Sequence, residues 1–170
     1  MDQPVGGHRY DPGMILDILL IVAVVTAGLG SGLFLAFSSG VMPGLVRASD
    51  ETYVSAMREM NIAIPRSPAF LLPIFLPPFL LGAAAVAAFV TGEGGVGVYL
   101  VIGAVLFLIG GVLLTGGRNI PLNNALEKSR GSDPAAARAA FDRPWRTSNH
   151  VRTLLTLAGF AFAVVAAVLH

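Results

Sequence analysis

The stretch that decides the fold is residues 69–115, AFLLPIFLPPFLLGAAAVAAFVTGEGGVGVYLVIGAVLFLIGGVLLT. Its single formal charge is Glu93, which lies in the glycine-rich segment 91–95. A helix rises about 1.5 Å per residue and the hydrocarbon core of a bilayer is about 30 Å thick, so each half of the stretch can cross a membrane. Glycine and a carboxylate favour an exposed turn. We therefore predict two spans, at about 69–91 and 96–116, joined at Glu93.

Two more apolar runs lie outside this hairpin and predict a first span at about 15–38 and a last span at about 148–169. The chain is 55% hydrophobic and 12% charged, which is outside the usual range of soluble proteins. We predict a single domain, residues 1–170, that is all-α and forms an integral membrane four-helix bundle. The acidic N-terminal segment does not resemble a secretory signal, so we expect the first span to stay in the mature protein.

The basic residues predict an orientation. With four spans, the termini and the 91–95 turn share one side of the membrane, and the connections 38–68 and 116–150 share the other. Of the 11 lysine and arginine residues, Arg9 alone lies on the side of the termini. Because basic residues favour the cytoplasmic side, we expect both connections to be cytoplasmic and the termini outside, in the plasma (inner) membrane.

Small residues in the first span predict close helix packing. Gly28, Gly32, Ala36 and Gly40 repeat every four residues and form a stripe that another helix can approach closely. The stripe predicts the seam of the bundle, and the same pattern also suits a homo-oligomer.

The second span contains Pro73, Pro77 and Pro78, each of which lacks an amide donor, so we predict that this helix bends or starts late. In the simpler interpretation the bend only fits the helix to its neighbours. In the alternative it opens a cavity within the bundle.

Each cytoplasmic connection is predicted to contain a short helix. In the first connection Ser49 can cap an amphipathic helix at 50–64. In the second, Gly116-Gly117 is expected to end the third span and Pro121 to start a new helix. An alanine-rich helix is predicted at 134–141, before a last helix that Pro144 opens and that continues through the fourth span.

Polar side chains in the second connection form the candidate site. Asn119 and Asn123 are four residues apart, and Trp145, Asn149 and Arg152 follow the spacing of one helix face. Trp145 and Arg152 are typical membrane-interface anchors, whereas carboxamides near an apolar boundary need hydrogen-bond partners. The cluster can therefore cross-link helices or present donors to a ligand.

Two elements of this connection resemble a known family. The segments 119–126, NIPLNNAL, and 149–153, NHVRT, with Trp145 between them, are similar to the anthrone oxygenase-like family, or domain of unknown function 1772. The resemblance extends over nearly the whole chain. It implies a four-span membrane protein and, from some fungal members, the oxidation of an anthrone to an anthraquinone. An aromatic residue often precedes the asparagine in the family, where this chain has Ser148.

The first functional hypothesis is an oxygenase for a lipophilic aromatic ligand of the phenolic or polyketide type. The carbanion of an anthrone can reduce dioxygen directly, so we expect no cofactor. Asn149 and Arg152 would be catalytic donors and His150 the nearby base. Asn119, Asn123 and Trp145 would bind the substrate, and Asn61 of the first connection could line the mouth of the pocket.

A metal site is not predicted, because His8, His150 and His170 are far apart in sequence and the chain has no cysteine. Nucleotide-binding glycine motifs are absent from the sequence, and we expect no nucleic-acid partner. The competing hypothesis is a non-catalytic membrane protein, an accessory subunit or partner-binding protein, whose basic residues bind membrane lipids of negative charge.

Overall fold

A computed structural model describes residues 12–170, and this part of the chain contains helices and no strand. The prediction of an all-α protein is confirmed. Arg9 and His8, on which the predicted orientation and the metal argument partly depended, lie outside the described residues.

The described residues contain eight α-helices, joined by short π-helical and 3-10 segments and by turns. In chain order they are α1 Pro12–Ala36, α2 Met42–Val46, α3 Asp50–Ala63, α4 Pro68–Phe75, α5 Pro77–Val90, α6 Gly94–Phe107, α7 Ile120–Lys128 and α8 Pro134–Leu169. The π-helical segment Phe37–Val41 connects α1 to α2, and two more, Leu108–Leu113 and Thr115–Asn119, connect α6 to α7. A 3-10 turn, Ile64–Arg66, precedes α4.

Within the described residues, three helical runs are long and apolar enough to cross a membrane: Gly13–Val46, Gly94–Lys128 and Pro134–Leu169. The pair α4 and α5 is a fourth candidate if it counts as one bent span. Runs of this length and composition indicate a membrane protein. The exact number and limits of the spans stay a prediction.

The bend between α4 and α5 confirms the effect predicted for the prolines. The two helices meet at 43°, with the break at Leu76. Pro77 and Pro78 begin α5, where the first amides of a helix need no partner within it. Pro73 lies inside α4.

The connection after α6 differs from its prediction, because Gly116-Gly117 does not end the helix. The chain continues from α6 through two π-helical segments into α7, up to Lys128. A π-helical turn keeps the backbone amides hydrogen-bonded while it shifts the side chains that follow around the axis. The glycines are therefore accommodated inside the helix, and Pro121 lies in the first turn of α7.

The predicted break at Pro144 is also wrong. The alanine-rich segment and the last span form one helix, α8, with Pro144 inside it. Phe141 and Trp145, on either side of the proline, are both buried in a cluster with Tyr53 and Met57 of α3. This packing offsets the hydrogen bond that proline removes. The predicted helix α3 is confirmed, with Ser49 accepting a hydrogen bond from the Thr52 amide at its start.

The main core lies between α1, α5, α6 and α8, where Leu16, Leu81, Leu100 and Ala163 are fully buried. Glycines set how closely the helices cross. A Cβ atom on Gly103 would lie 3.1 Å from the carbonyl oxygen of Gly159, so α6 and α8 touch by their backbones.

The predicted small-residue stripe of α1 is only partly the seam of the bundle. Gly28 packs against the ring of Phe160, as predicted, but Gly32 and Gly40 face open space, where a Cβ atom would meet nothing within 4 Å. Gly30, outside the predicted stripe, makes the close contact of α1 with α4 instead. The suggested homo-oligomer stays a prediction.

Candidate functional site

A cavity of about 200 Å³ lies at one end of the bundle. It is lined by the last turns of α1, by the helices α3, α4 and α7, and by the middle of α8. Its wall is mostly apolar and aromatic, with Phe34, Phe37, Phe70 and Ile74 among the lining side chains. The polar lining residues are Asn61, Thr115, Asn119, Asn123, Asn149 and Arg152. This combination of an apolar body with a few convergent polar groups is typical of a small-molecule site.

Six of the seven residues singled out from the sequence line this cavity: Asn61, Asn119, Asn123, Trp145, Asn149 and Arg152. His150 does not. It is exposed on the surface of α8, so the structure does not bring the predicted base to the cavity. The helical spacing explains this, because consecutive residues of a helix lie about 100° apart.

Arg152 is the most unusual residue of the cavity wall. Only 6% of its surface is exposed. One terminal nitrogen donates to Thr115 Oγ1 at 2.9 Å and the other to Asn149 Oδ1 at 2.7 Å, and its Cζ atom lies 4.5 Å from the centre of the Phe34 ring. None of the salt bridges in the described part of the chain includes Arg152. A buried cation supported only by neutral groups favours an anionic ligand.

Asn149 supports Arg152 and has no free donor. Its Nδ2 donates to the Phe34 carbonyl at 3.2 Å and to Ser38 Oγ at 2.7 Å, while its Oδ1 accepts from Arg152. Both ends of the carboxamide are therefore used within the protein. Asn149 fixes α8 to the end of α1 and orients the guanidinium, which differs from the donor role suggested by the sequence.

The carboxamides of the segment 119–123 are also fixed by α8. Ser148 Oγ donates to Asn119 Oδ1 at 2.7 Å, and Trp145 Nε1 donates to Asn123 Oδ1 at 3.0 Å. Asn119, Ser148 and Trp145 are buried.

Three buried donors at this cavity have no hydrogen-bond partner among the residues that the structure describes: Asn61 Nδ2, Asn119 Nδ2 and Arg152 Nε. They come from three separate elements, and all three residues line the cavity. Buried donors without partners are rare and costly, so these three residues make the cavity a candidate site for a ligand with acceptor oxygens.

The comparison with protein families identifies the family of the chain. The family model for anthrone oxygenase matches residues 70–162, which is more than half of the chain. The chain belongs to the anthrone oxygenase family. No curated protein and no solved structure matches it.

The match to the anthrone oxygenase model covers most of the polar residues of the cavity, from Asn119 to Arg152, but it begins after Asn61 and after α1. The structure adds to the site Phe34 of α1 and, from the π-helical segment that follows α1, Phe37 and Ser38. Their signal in the sequence is weak, because an aromatic residue in an apolar span looks like an ordinary lipid-facing or core residue.

Aromatic side chains pack against one another in the wall of the cavity. The rings of Phe37 and Trp145 have centroids 5.9 Å apart, and Phe37 packs edge-on against Phe70 of α4 with centroids 6.2 Å apart. The helix α4 borders the cavity and ends at the bend. That the prolines open the cavity stays a prediction.

The π-helical segment Thr115–Asn119 is the part of the helix between α6 and α7 that borders the cavity. Thr115 contacts Arg152 and Asn119 contacts Ser148, so both ends of the segment are fixed to α8. Short π-helical turns are frequent at functional sites. Among residues 12–170, no group of three or more histidine and carboxylate side chains is arranged to hold a metal ion.

Proposed function

We propose that this member of the anthrone oxygenase family is a membrane oxygenase that oxidises a lipophilic aromatic of the phenolic or polyketide type with dioxygen. The observation that carries the proposal is Arg152, a buried cation with no carboxylate partner in the described chain, at the wall of an apolar and aromatic cavity. Such a site favours a flat ligand that becomes negatively charged on an oxygen.

An anthrone fits these requirements because it is a ketone that becomes an enolate. Loss of a proton from its central carbon spreads negative charge onto the ketone oxygen. Arg152 Nε and Asn119 Nδ2 are free donors for that oxygen, and the aromatic residues would stack on the rings. Donors that are already oriented stabilise developing charge without reorganisation. The protein would thus lower the free energy of the anion relative to the neutral ketone.

The proposed reaction needs no further reactant. The carbanion passes one electron to dioxygen, and the resulting radical and superoxide combine to a peroxide on the same carbon. The peroxide takes up a proton, and elimination of water leaves the new carbonyl. One dioxygen is consumed for each substrate: one of its oxygen atoms enters the quinone and the other leaves as water.

We propose that a water molecule accepts the proton that the central carbon of the substrate loses. The ionisable side chain on the described cavity wall is Arg152, and a guanidinium acts as a cation rather than as a base. The role first suggested for His150 is therefore not part of this proposal.

The substrate would enter from the bilayer. Ile120 and Pro65 line the cavity and are also exposed on the outside of the protein, which makes the region between α7 and α4 the proposed entrance. With the connections in the cytoplasm and the protein in the plasma membrane, as the basic residues predict, this entrance would be at the inner leaflet, beside lipids of negative charge.

The test is oxygen consumption by the purified protein with an anthrone, followed together with the absorbance of the quinone. Arg152→Gln should lower kcat/KM by about 100-fold or more, as expected when a donor to a developing oxyanion is lost. The matched control is Arg143→Gln, which removes an exposed arginine of the same helix and should leave the rate unchanged. Equal rates for the two variants would contradict the proposal.

The second candidate is a non-catalytic binding protein. It is favoured by the structural role of Asn149, whose amide nitrogen donates hydrogen bonds to Phe34 and Ser38 and so holds α8 in place. It predicts that an aromatic ligand binds to the cavity with no oxygen consumption above the rate in protein-free detergent.

A further inference from the structure

Three carboxamides at the cavity share one feature. The oxygens of Asn119, Asn123 and Asn149 each accept a hydrogen bond from a side chain of α8, donated by Ser148, Trp145 and Arg152 respectively. Carboxamides can present either a donor or an acceptor to a ligand. Here the acceptor ends are used by the protein, and at Asn119 the amide nitrogen is left without a partner.

Ser148 is the hydrogen-bond partner of the Asn119 carboxamide oxygen. Both side chains are buried, at 5% and 2% exposure, and the hydroxyl lies 2.7 Å from Asn119 Oδ1. If the carboxamide were rotated by half a turn, the nitrogen would replace the oxygen beside the hydroxyl and the oxygen would move to the unpartnered position. Since the hydroxyl can itself accept a bond, the rotated form is possible, but its free oxygen would oppose an anionic ligand.

We propose that Ser148 is a positioning residue that makes Asn119 a donor, so that the cavity selects ligands by acceptor oxygens. Ser148 acts through Asn119, because Ser148 is not among the residues that line the cavity. This proposal rests on the proposed function only for the identity of the natural ligand. The binding that it predicts can be measured without any catalytic turnover.

The hydrogen-bond donors without partners determine which ligands the cavity is expected to select. Asn119 Nδ2, Arg152 Nε and Asn61 Nδ2 are all N–H groups, and one of them belongs to a cation. A phenolate or a quinone carbonyl offers oxygens to such donors, whereas an aromatic hydrocarbon offers none. The predicted discrimination is therefore between aromatics of the same shape with and without oxygen.

The chain carries its own probe for this measurement. Trp145 is the single tryptophan of the sequence and lines the cavity, so its fluorescence should be quenched by an aromatic ligand bound there. The two ligands are a hydroxyanthraquinone and anthracene, which have the same three fused rings, each titrated into detergent-solubilised protein with a tryptophan solution as the optical control.

The matched variants are Ser148→Thr and Ser148→Val. The two new side chains have nearly the same shape, but threonine keeps the hydroxyl and valine lacks it. We expect Ser148→Val to raise the Kd of the hydroxyanthraquinone about tenfold relative to Ser148→Thr, and to leave the Kd of anthracene equal in the two variants. In an Asn119→Ala background the difference between threonine and valine should disappear, since the group that Ser148 orients is gone.

Four results would overturn the proposal, three of them in the affinity for the hydroxyanthraquinone. These are equal Kd values for the threonine and valine variants, a difference that persists without Asn119, or a wild-type protein that does not bind the hydroxyanthraquinone. A general packing defect would weaken anthracene as well, and that result also counts against Ser148 as a positioning residue. If the threonine and valine variants differ as expected while no anthrone is oxidised, the positioning role stands and the oxygenase proposal alone fails.

Discussion

At the end of the bundle that holds Leu16 and Ala163, the interior is filled by fully buried aliphatic side chains, whereas at the other end Arg152 and four asparagines surround a cavity. The first region follows the rule for membrane helices, which gain stability mainly from close contact because lipid is as apolar as leucine. The second leaves buried donors unpaired, which lowers stability. The contrast supports our proposal that the cavity end binds a ligand, whereas the other end serves mainly to hold the helices together.

The strongest test of this contrast compares two glycines of α1. A Cβ atom on Gly30 would lie 2.1 Å from the carbonyl oxygen of Pro73, whereas on Gly32 it would meet nothing within 4 Å. Gly30→Ala must push α1 and α4 apart and should cost about 3 kcal/mol, while Gly32→Ala should leave stability unchanged or raise it slightly. Unfolding in a denaturing detergent, followed by circular dichroism, measures both. If Gly30→Ala lowered the stability as little as Gly32→Ala, α1 and α4 would not be in close contact.

A second comparison removes one large side chain from each end. Leu81 is fully buried in the main core, and Met60 is partly buried at the cavity wall. Leu81→Ala should cost about 2 kcal/mol because it opens a new void among packed helices. Met60→Ala only enlarges an existing space and should cost about 0.5 kcal/mol, while it alters the affinity for an aromatic ligand. The same unfolding assay applies, and a larger loss for Met60→Ala would contradict the division between the two ends.

A smaller effect is expected at the end far from the cavity, where His170 connects two carboxylates. Its ring nitrogens lie 2.6 Å from Glu93 Oε2 and 2.9 Å from Asp17 Oδ1. The hydrogen bond with Glu93, followed by that with Asp17, raises the pKa of His170 above its ordinary value. The stabilisation is therefore complete below the unfolded-state pKa of about 6.5 and is lost as the pH rises through the higher folded-state pKa.

We expect the Tm of the wild type to fall over this pH range by about 2 °C or less relative to His170→Gln, since the groups are near the surface. Glu93→Gln should reduce the difference. A Tm difference between wild type and His170→Gln that does not change with pH would show that the ion pairs are not formed.

The smallest effect is predicted for His150→Ala. The sequence suggested His150 as the base, but its side chain is exposed and does not line the cavity. Anthrone oxidation and the fluorescence titration should therefore match the wild type. A loss of rate comparable to that of Arg152→Gln would mean that His150 reaches the substrate and that the cavity described above is not the whole site.

The sequence was sufficient for the helical fold and for most of the polar residues of the site. Long uncharged runs require helices because a backbone in lipid must satisfy its own hydrogen bonds, and this holds whatever the neighbours are. The spacing of Trp145, Asn149 and Arg152 likewise follows from one helix alone. The bend at Pro77 was predictable for the same local reason.

The tertiary structure decided the features that depend on contacts between distant residues. Pro144 stays inside α8 because Phe141 and Trp145 pack on α3, and Gly30 rather than Gly32 makes the close contact because of where α4 passes. The Asn119 carboxamide accepts a hydrogen bond from Ser148, which is 29 residues away in the chain. A hydrogen bond between two helices has no periodic signal in the sequence, since it is set by the distance and orientation of two side chains once the helices have packed.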